Sequence, residues 1–173
     1  MITITVKDCN YISKDIYESV INFLPFHRLK CSCGHHGCLT IHGYYSRFVK
    51  NPDGKTLLRI CRVKCSECGT THALLLSSMV PYSQIPLAVQ QEIILLYEQG
   101  VILHNVCPDN PDVDENNVKS ILRSYRRHWK EKLLAEKILL TPLRDLVHRC
   151  FLFYSAQFMQ IHRTVNILFF SPT

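Results

Sequence analysis

Residues 31–38 read CSCGHHGC, and residues 64–69 read KCSECG. Clustered sulfurs of this kind suit a metal ion, because zinc takes four ligands in a tetrahedron and favours thiolate as its structural donor. Two sulfurs offered to one ion from a tight turn must lie close in sequence. A glycine directly after the second lets the backbone curl without a Cβ clash. Cys65-Ser66-Glu67-Cys68-Gly69 meets that pattern. Cys31-Ser32-Cys33-Gly34 has the trailing glycine but a single residue between its sulfurs. The expected ligand set is Cys31, Cys33, Cys65 and Cys68, with Cys38 as the substitute for Cys31 and His35, His36, His42 and His72 as further donors. A set filled wholly by protein leaves no open position for water, so the implied Zn2+ is structural. In a small β-ribbon with little core of its own, the ion would supply much of the folding free energy. The competing reading is free thiols packed as small hydrophobes, but cysteines clustered among polar residues make a poor core. A redox role for the Cys65–Cys68 pair lacks the βαβ setting such pairs have. Cys9, Cys61, Cys107 and Cys150 are isolated and are expected to pack as ordinary buried residues.

A second group of residues points to nucleic acid. Apolar residues at Val118, Ile121, Leu122, Tyr125, Trp129 and Leu133 recur at helical steps and define a core stripe. The outward side of the same helix carries Asn116, Asn117, Lys119, Ser120, Arg123, Arg126, Arg127 and Lys130. Asn pairs bidentately with adenine, and Arg with guanine or phosphate. Asn116, Asn117, Lys119, Ser120 and Arg123 are the candidates for base edges; Arg126, Arg127 and Lys130 are the candidates for phosphates. A preceding helix ending at Gly100, a short apolar segment and a turn over 107–113 complete a helix-turn-helix layout. The bland alternative is a solvated charged face, diluted by Glu115, Glu131 and Glu136. Tyr44, Tyr45, Arg47 and Lys50 could add an aromatic-basic patch, although paired tyrosines more often pack.

These residues need elements to position them. Residues 2–6, ITITV, alternate as a strand, and the run from Lys14 to Phe23 has helical spacing that Pro25 stops. Short β-prone runs follow at 39–41, 44–45, 57–63 and 72–76, with Asn51-Pro52-Asp53-Gly54 as a turn. Pro86 opens a helix that Gly100 closes, residues 101–106 suggest a short helix, and Asp112 or Asp114 caps a long one that runs to Thr141-Pro142. A helix over 143–154 and a β-prone tail over 164–170 end the chain. The expected class is α+β: a zinc-ribbon-like domain with its N-terminal strand and helix over 1–80, a helix-turn-helix-like region over 81–140, and a C-terminal helix and tail over 141–173.

Composition sets the outer limits. The chain has 173 residues, enough for one domain or two small ones, and an apolar share of 47% that argues against disorder. A formal charge of +6 permits a nucleic-acid partner without demanding one. No apolar run approaches the roughly 20 residues that span a bilayer. The first fifteen residues lack the basic and apolar regions of a secretory signal. A cytoplasmic protein with reduced thiols is therefore expected. No glycine-rich phosphate loop, Ser-His-Asp order or carboxylate cluster stands out, so neither an enzyme nor a small-molecule substrate is inferred.

The strings His42-Gly43-Tyr44-Tyr45-Ser46-Arg47, Cys61 to Leu75, and Val80-Pro81-Tyr82-Ser83-Gln84-Ile85 resemble a bacterial domain-of-unknown-function family, DUF6431, of Firmicutes. Gln157 to Ile161 and Asn166 to Phe169 are similar as well, so the resemblance extends over most of the chain. It implies no assigned activity. A weaker similarity is to the N-terminal parts of insertion-sequence transposases, which join a zinc ribbon to a helix-turn-helix that binds transposon ends. Such enzymes continue into a catalytic domain with three acidic metal ligands, and here Asp145 stands alone. The leading expectation is a non-enzymatic, zinc-binding, DNA-binding protein in a mobile-element or regulatory role. The alternative is a zinc-ribbon adaptor that docks another protein and binds no nucleic acid.

Overall fold

In the computed structural model, residues 1–6, 11–101, 110–162 and 164–170 are described. The chain runs β1 (Ile2–Thr5), α1 (Lys14–Phe23), β2 (Leu39–Asn51), β3 (Gly54–Cys65), β4 (Thr71–Leu76), α2 (Leu87–Glu98), α3 (Glu115–His128), α4 (Lys130–Ala135), α5 (Leu143–Tyr154) and β5 (Ile167–Phe170). The mixed α+β class expected from the sequence is present. The strands form one sheet in the order β2-β3-β4-β1-β5. β2, β3 and β4 are antiparallel, whereas β1 lies parallel to both β4 and β5.

The β2–β3 hairpin is long because its turn is tight. Asn51 pairs with Gly54 across Pro52-Asp53. Proline presets the first central dihedral of such a turn, and Gly54 takes a φ of +127° that a side chain would resist. The separate runs expected at 39–41 and 44–45 are one strand, interrupted by a register shift between Ile41 and Gly43. An extra residue in one strand locally alters pairing and twist without ending the strand.

α1 begins where Ser13 Oγ accepts the Ile16 N–H at 3.0 Å, an N-cap that satisfies one orphan donor of the first turn. It turns Tyr17 and Ile21 inward. The Tyr17 hydroxyl donates to Leu74 O and accepts from Cys61 N, each at 2.9 Å. The β3–β4 ladder runs through Lys64↔Thr71, Val63↔His72 and Arg62↔Ala73, and the next pair in that register would be Cys61 and Leu74. One phenol therefore bridges the two backbones where the strands part. Burial pushes its pKa above the ordinary tyrosine value, which keeps it a donor.

Two apolar clusters fill the protein. One lies between the sheet and α1 and includes Ile2, Ile4, Ile12, Tyr17, Leu58, Ile60 and Leu74. The other joins α2, α3 and α5 through Ile93, Val118, Leu122, Trp129, Leu146 and Phe158. β5 alternates between them: Ile167 and Phe169 pack on the first and Leu168 on the second. The segment after α5 ties the halves together. Gln157, fully buried, donates to Ser77 O at 2.9 Å, and the Trp129 indole donates to Gln160 O at 3.3 Å.

The long helix expected through residue 140 breaks at Trp129, whose backbone (φ −127°, ψ −36°) separates α3 from α4. Its ring sits edge-on to Tyr154 and Phe158, with centroids 5.8 and 5.3 Å away. Burying so large a ring among aromatic partners offsets the loss of helical continuity. α2 ends as its sequence suggested. Gly100 has a φ of +80°, its N–H donates to Tyr97 O, and the Val101 N–H donates to Leu96 O, which is a Schellman closure. Cys9, the short helix expected over 101–106 from residue 102 onward, Cys107 and the first part of the 107–113 turn lie outside the described residues. Cys61 and Cys150 are fully buried, as expected. Among the described residues, no helix is long and apolar enough to cross a membrane.

Tyr17→Phe leaves two buried backbone groups without a partner. It should lower stability by about 1–3 kcal/mol in urea denaturation, with no change in the denaturant slope.

Candidate metal centre

Two turns meet at the open end of the hairpin. The first follows a one-turn 3-10 helix at Phe26–Arg28. Its Cys31 N–H donates to His35 O at 2.9 Å and its Gly34 N–H to Cys31 O at 3.0 Å. The second begins at Cys65, the last residue of β3, where Cys65 N donates to Thr70 O at 2.9 Å and Gly69 N to Cys65 O at 3.1 Å. Both trailing glycines are left-handed, Gly34 at φ +97° and Gly69 at φ +71°, which is what the sequence pattern anticipated. Ser66 N donates to Cys38 O at 2.8 Å and fastens one turn to the other.

The sulfurs of Cys31, Cys33, Cys65 and Cys68 all lie within 4.8 Å of one another. Cys31 Sγ is 3.6 Å from Cys68 Sγ, and Cys33 Sγ is 3.8 Å from Cys65 Sγ. A regular tetrahedron around zinc with bonds of about 2.3 Å has edges of about 3.8 Å. The donor set therefore fits a tetrahedral thiophilic cation. Cys31 and Cys65 are buried, while Cys33 and Cys68 face solvent. These four cysteines could hold a metal ion.

Cys38, the expected substitute, stands outside this mutually close group. It is buried, with Sγ 3.3 Å from Cys65 Sγ and 3.3 Å from His35 O. The first separation is shorter than a tetrahedral edge and places Cys38 as a thiol beside a ligand. Among the histidines, His72 is 1% exposed and its Nε2 lies 3.3 Å from Cys31 Sγ. His35 Nδ1 lies 3.4 Å from Cys33 Sγ. Both are placed to hydrogen-bond a sulfur. Were a metal bound, such partners would fix the orientation of its sulfur ligands. His36 and His42 are exposed and outside the sulfur group.

The thiols do not share one proton affinity. Thr70, through its hydroxyl 3.2 Å away and its backbone, holds Cys68 down at about 6. The Cys68 backbone N–H, 3.5 Å from Cys65 Sγ, lowers Cys65. A backbone hydrogen bond at His35 pulls Cys33 down, but partial desolvation of its sulfur and the three neighbouring thiols outweigh it and push it up to about 12. Burial, reinforced by Cys65, raises Cys38 to about 11. The pattern is that of crowded thiols in which one or two ionise and the rest then resist. A divalent cation removes that conflict, because it binds thiolates and displaces their protons. Thr70 carries no spacing signal in the sequence and was not anticipated.

The expected DNA-contacting residues lie on α3, except Lys130, which opens α4; α3 is capped by Asp114, whose Oδ1 accepts the Asn117 N–H at 2.7 Å. Asp112, the alternative cap, instead pairs with Lys55 at 3.0 Å. Val118, Ile121, Leu122 and Tyr125 are buried. Asn116, Lys119, Ser120, Arg123, Arg126 and Arg127 are exposed. Three members of the expected set are held within the protein. Lys50 Nζ donates to Asn117 Oδ1 at 2.8 Å, Lys119 pairs with Glu115 at 2.6 Å, and Lys130 pairs with Glu98 at 2.9 Å. Arg126 lies over the Tyr97 ring at 5.8 Å. In the expected aromatic-basic patch, Arg47 is turned inward and donates to Val80 O at 2.6 Å and to Ser83 O, so it braces a loop.

This fold and site define a protein in which two cysteine turns clasp the end of a β-hairpin set in a mixed sheet, followed by a helical unit. Residues 30–102 match the family model of a domain of unknown function, DUF6431. The match takes in both cysteine turns, β2, β3, β4 and α2. It is narrower than the similarity noted in the sequence, since the strings at 157–161 and 166–169 fall outside it. Neither the curated proteins nor the solved structures contain a match.

In metal-free protein, iodoacetamide should label Cys68 well before Cys33, although both are exposed. A thiol with a pKa of about 6 is mostly thiolate at pH 7, so its rate should climb through pH 6 and then level off, as mass mapping can follow. Chelation should also raise amide hydrogen exchange in the two cysteine turns while β3 and β4 near Tyr17 stay protected.

Proposed function

We propose that the protein is a non-enzymatic DNA-binding protein whose four thiolates hold a structural Zn2+, acting in a mobile-element or regulatory setting. Zinc is the ion of choice for a closed set of four thiolates with near-tetrahedral spacing. With all four positions supplied by protein, the ion fixes the two turns and leaves no place for an activated water.

The observation that carries nucleic-acid reading is a stripe on α3. Asn116, Ser120, Arg123 and Arg127 are exposed at successive steps of four, three and four residues, opposite the buried Val118, Ile121, Leu122 and Tyr125. A helix presents such a stripe as one face. Its N-terminal part carries hydrogen-bonding side chains suited to base edges, and its C-terminal part carries guanidinium groups suited to phosphates. Arg126 widens the cationic end. Asn117, Lys119 and Lys130 are secondary, because each must leave an internal partner to reach DNA.

Two measurements test this reading. Purified protein should contain one zinc per chain, lost in Cys31→Ser and Cys68→Ser and kept in Cys38→Ser and Cys150→Ser. Fluorescence anisotropy with random duplex DNA should show affinity falling roughly 40-fold between 50 and 200 mM salt if Arg123, Arg126 and Arg127 each neutralise a phosphate. Arg127→Ala should reduce the slope of log affinity against log salt by about one. Zinc without salt-sensitive DNA binding would leave the protein-docking adaptor as the better reading. Absence of zinc would remove the metal centre.

A further inference from the structure

The loop between β4 and α2 is more firmly built than a connection requires. Arg47 donates to Val80 O and Ser83 O, Lys50 N donates to Gln84 O at 2.8 Å, and Gln90 Nε2 reaches Ser83 Oγ and Ile85 O at 2.9 Å each. The loop is thus pinned to β2 on one side and to α2 on the other. At its crest Tyr82 is 67% exposed. Its φ is +62°, a conformation that a bulky residue adopts only when its surroundings impose it. The loop buries Val80 and Ile85 in the helical core, and that anchorage also holds the exposed Tyr82 ring, which meets His162 edge-on with centroids 5.2 Å apart.

Two recesses flank Tyr82. One, of about 410 Å3, is lined by Tyr45, Phe48, Arg47 and Gln84 together with Tyr82. The other, of about 390 Å3, is lined by Lys50, Gln84, Asn117 and Ser120 together with Tyr82. They share Tyr82, Ser83 and Gln84, so they adjoin at this loop, and the two together make a trench, divided at Tyr82, between β2 and α3. Phe48 and Tyr45 are 46% and 38% exposed beside it. No carboxylate lines either recess among the described residues. Ser120, at the far end, belongs to the stripe that carries Arg123 and Arg127.

We propose that this trench binds unpaired DNA, with bases stacking on Phe48 and Tyr82 and the backbone running toward Ser120 and Arg123. The proposal rests on the nucleic-acid reading of α3 and adds the strand state that the site takes. Aromatic rings held at a groove stack on base faces that a duplex hides, and do so with any sequence. Polar groups without acids suit an anionic backbone. The α3 stripe alone would accept duplex; the recesses beside it fit a strand whose bases are free.

The test compares a labelled twelve-residue oligo-dT with a random duplex of equal length, using full-length, zinc-replete protein. Tyr82→Ala and Phe48→Ala should each weaken oligo-dT binding at least about five-fold, while Tyr82→Phe and Phe48→Tyr stay near the parent. Duplex binding should be unchanged in all four. Both positions are substantially exposed, so the variants should keep the parental melting temperature. Oligo-dT binding that survives both alanine variants, or that never occurs, overturns the trench and leaves duplex binding by α3 standing. Oligo-dT binding that depends on Tyr82 and Phe48, in a protein that ignores duplex, supports the trench and instead removes the duplex reading of α3.

Discussion

The constraint on which the rest depends is the meeting of two chain turns, some thirty residues apart in sequence, at the end of one hairpin. Cys65 is both the last residue of β3 and a member of the sulfur group, and it pairs across the ladder with Leu39, next to Cys38. The position of the turn over 31–38 is therefore set by strand register. A one-residue slip of β2 against β3 would send alternate side chains to the wrong face and carry Cys31 and Cys33 away from their partners. A shared cation would penalise that slip directly, since it would require all four sulfurs at once.

The energetic role left to an ion at this site is narrower than the sequence suggests. A free-standing β-ribbon would rely on metal for most of its stability. Here β3 is an inner strand of a five-stranded sheet, and Leu58, Ile60 and Val63 are fully buried in a cluster that also draws on α1 and β1. That core gives the hairpin a hydrophobic anchor of its own. A cation's work would be concentrated at the tip, where four crowded thiols otherwise compete for protons, and would add to the backbone hydrogen bonds that already close the two turns.

Local chemistry was legible where a single physical signal dominated. α1 and α5 occupy the residues their periodicity and flanking prolines indicated, and Gly100 closes α2 through the left-handed backbone that glycine permits. The sulfur quartet was readable for the same reason, because each pair carries its own trailing glycine. What the sequence hid depends on distant partners. The break at Trp129 follows from a ring socket formed by Tyr154 and Phe158, and nothing in the helical pattern announces it. The pairing of β5 with β1 joins the two ends of the chain, and four residues of ILFF could equally have covered a helix. Asn117, Lys119 and Lys130 read as free donors because their partners are not legible at the level of residue type.

These long-range contacts also tie α3 to the strand pair that carries the cysteine cluster. Lys50, near the hairpin turn, donates to Asn117 on α3, and Asn110 Nδ2 donates to Lys50 O at 3.1 Å. Lys55, across the same turn, pairs with Asp112. The approach to α3 is thus held by the end of the hairpin opposite the cysteines. With the sulfur quartet fixing register at one end and Lys50 and Lys55 gripping the helical unit at the other, the hairpin acts as a rigid strut between them. The β2–β3 register determines where Lys50 and Lys55 stand, and with them the seat of α3 against the sheet. On this geometry an ion held by the four sulfurs would act on α3 at a distance, through the strand pair on which the helix rests.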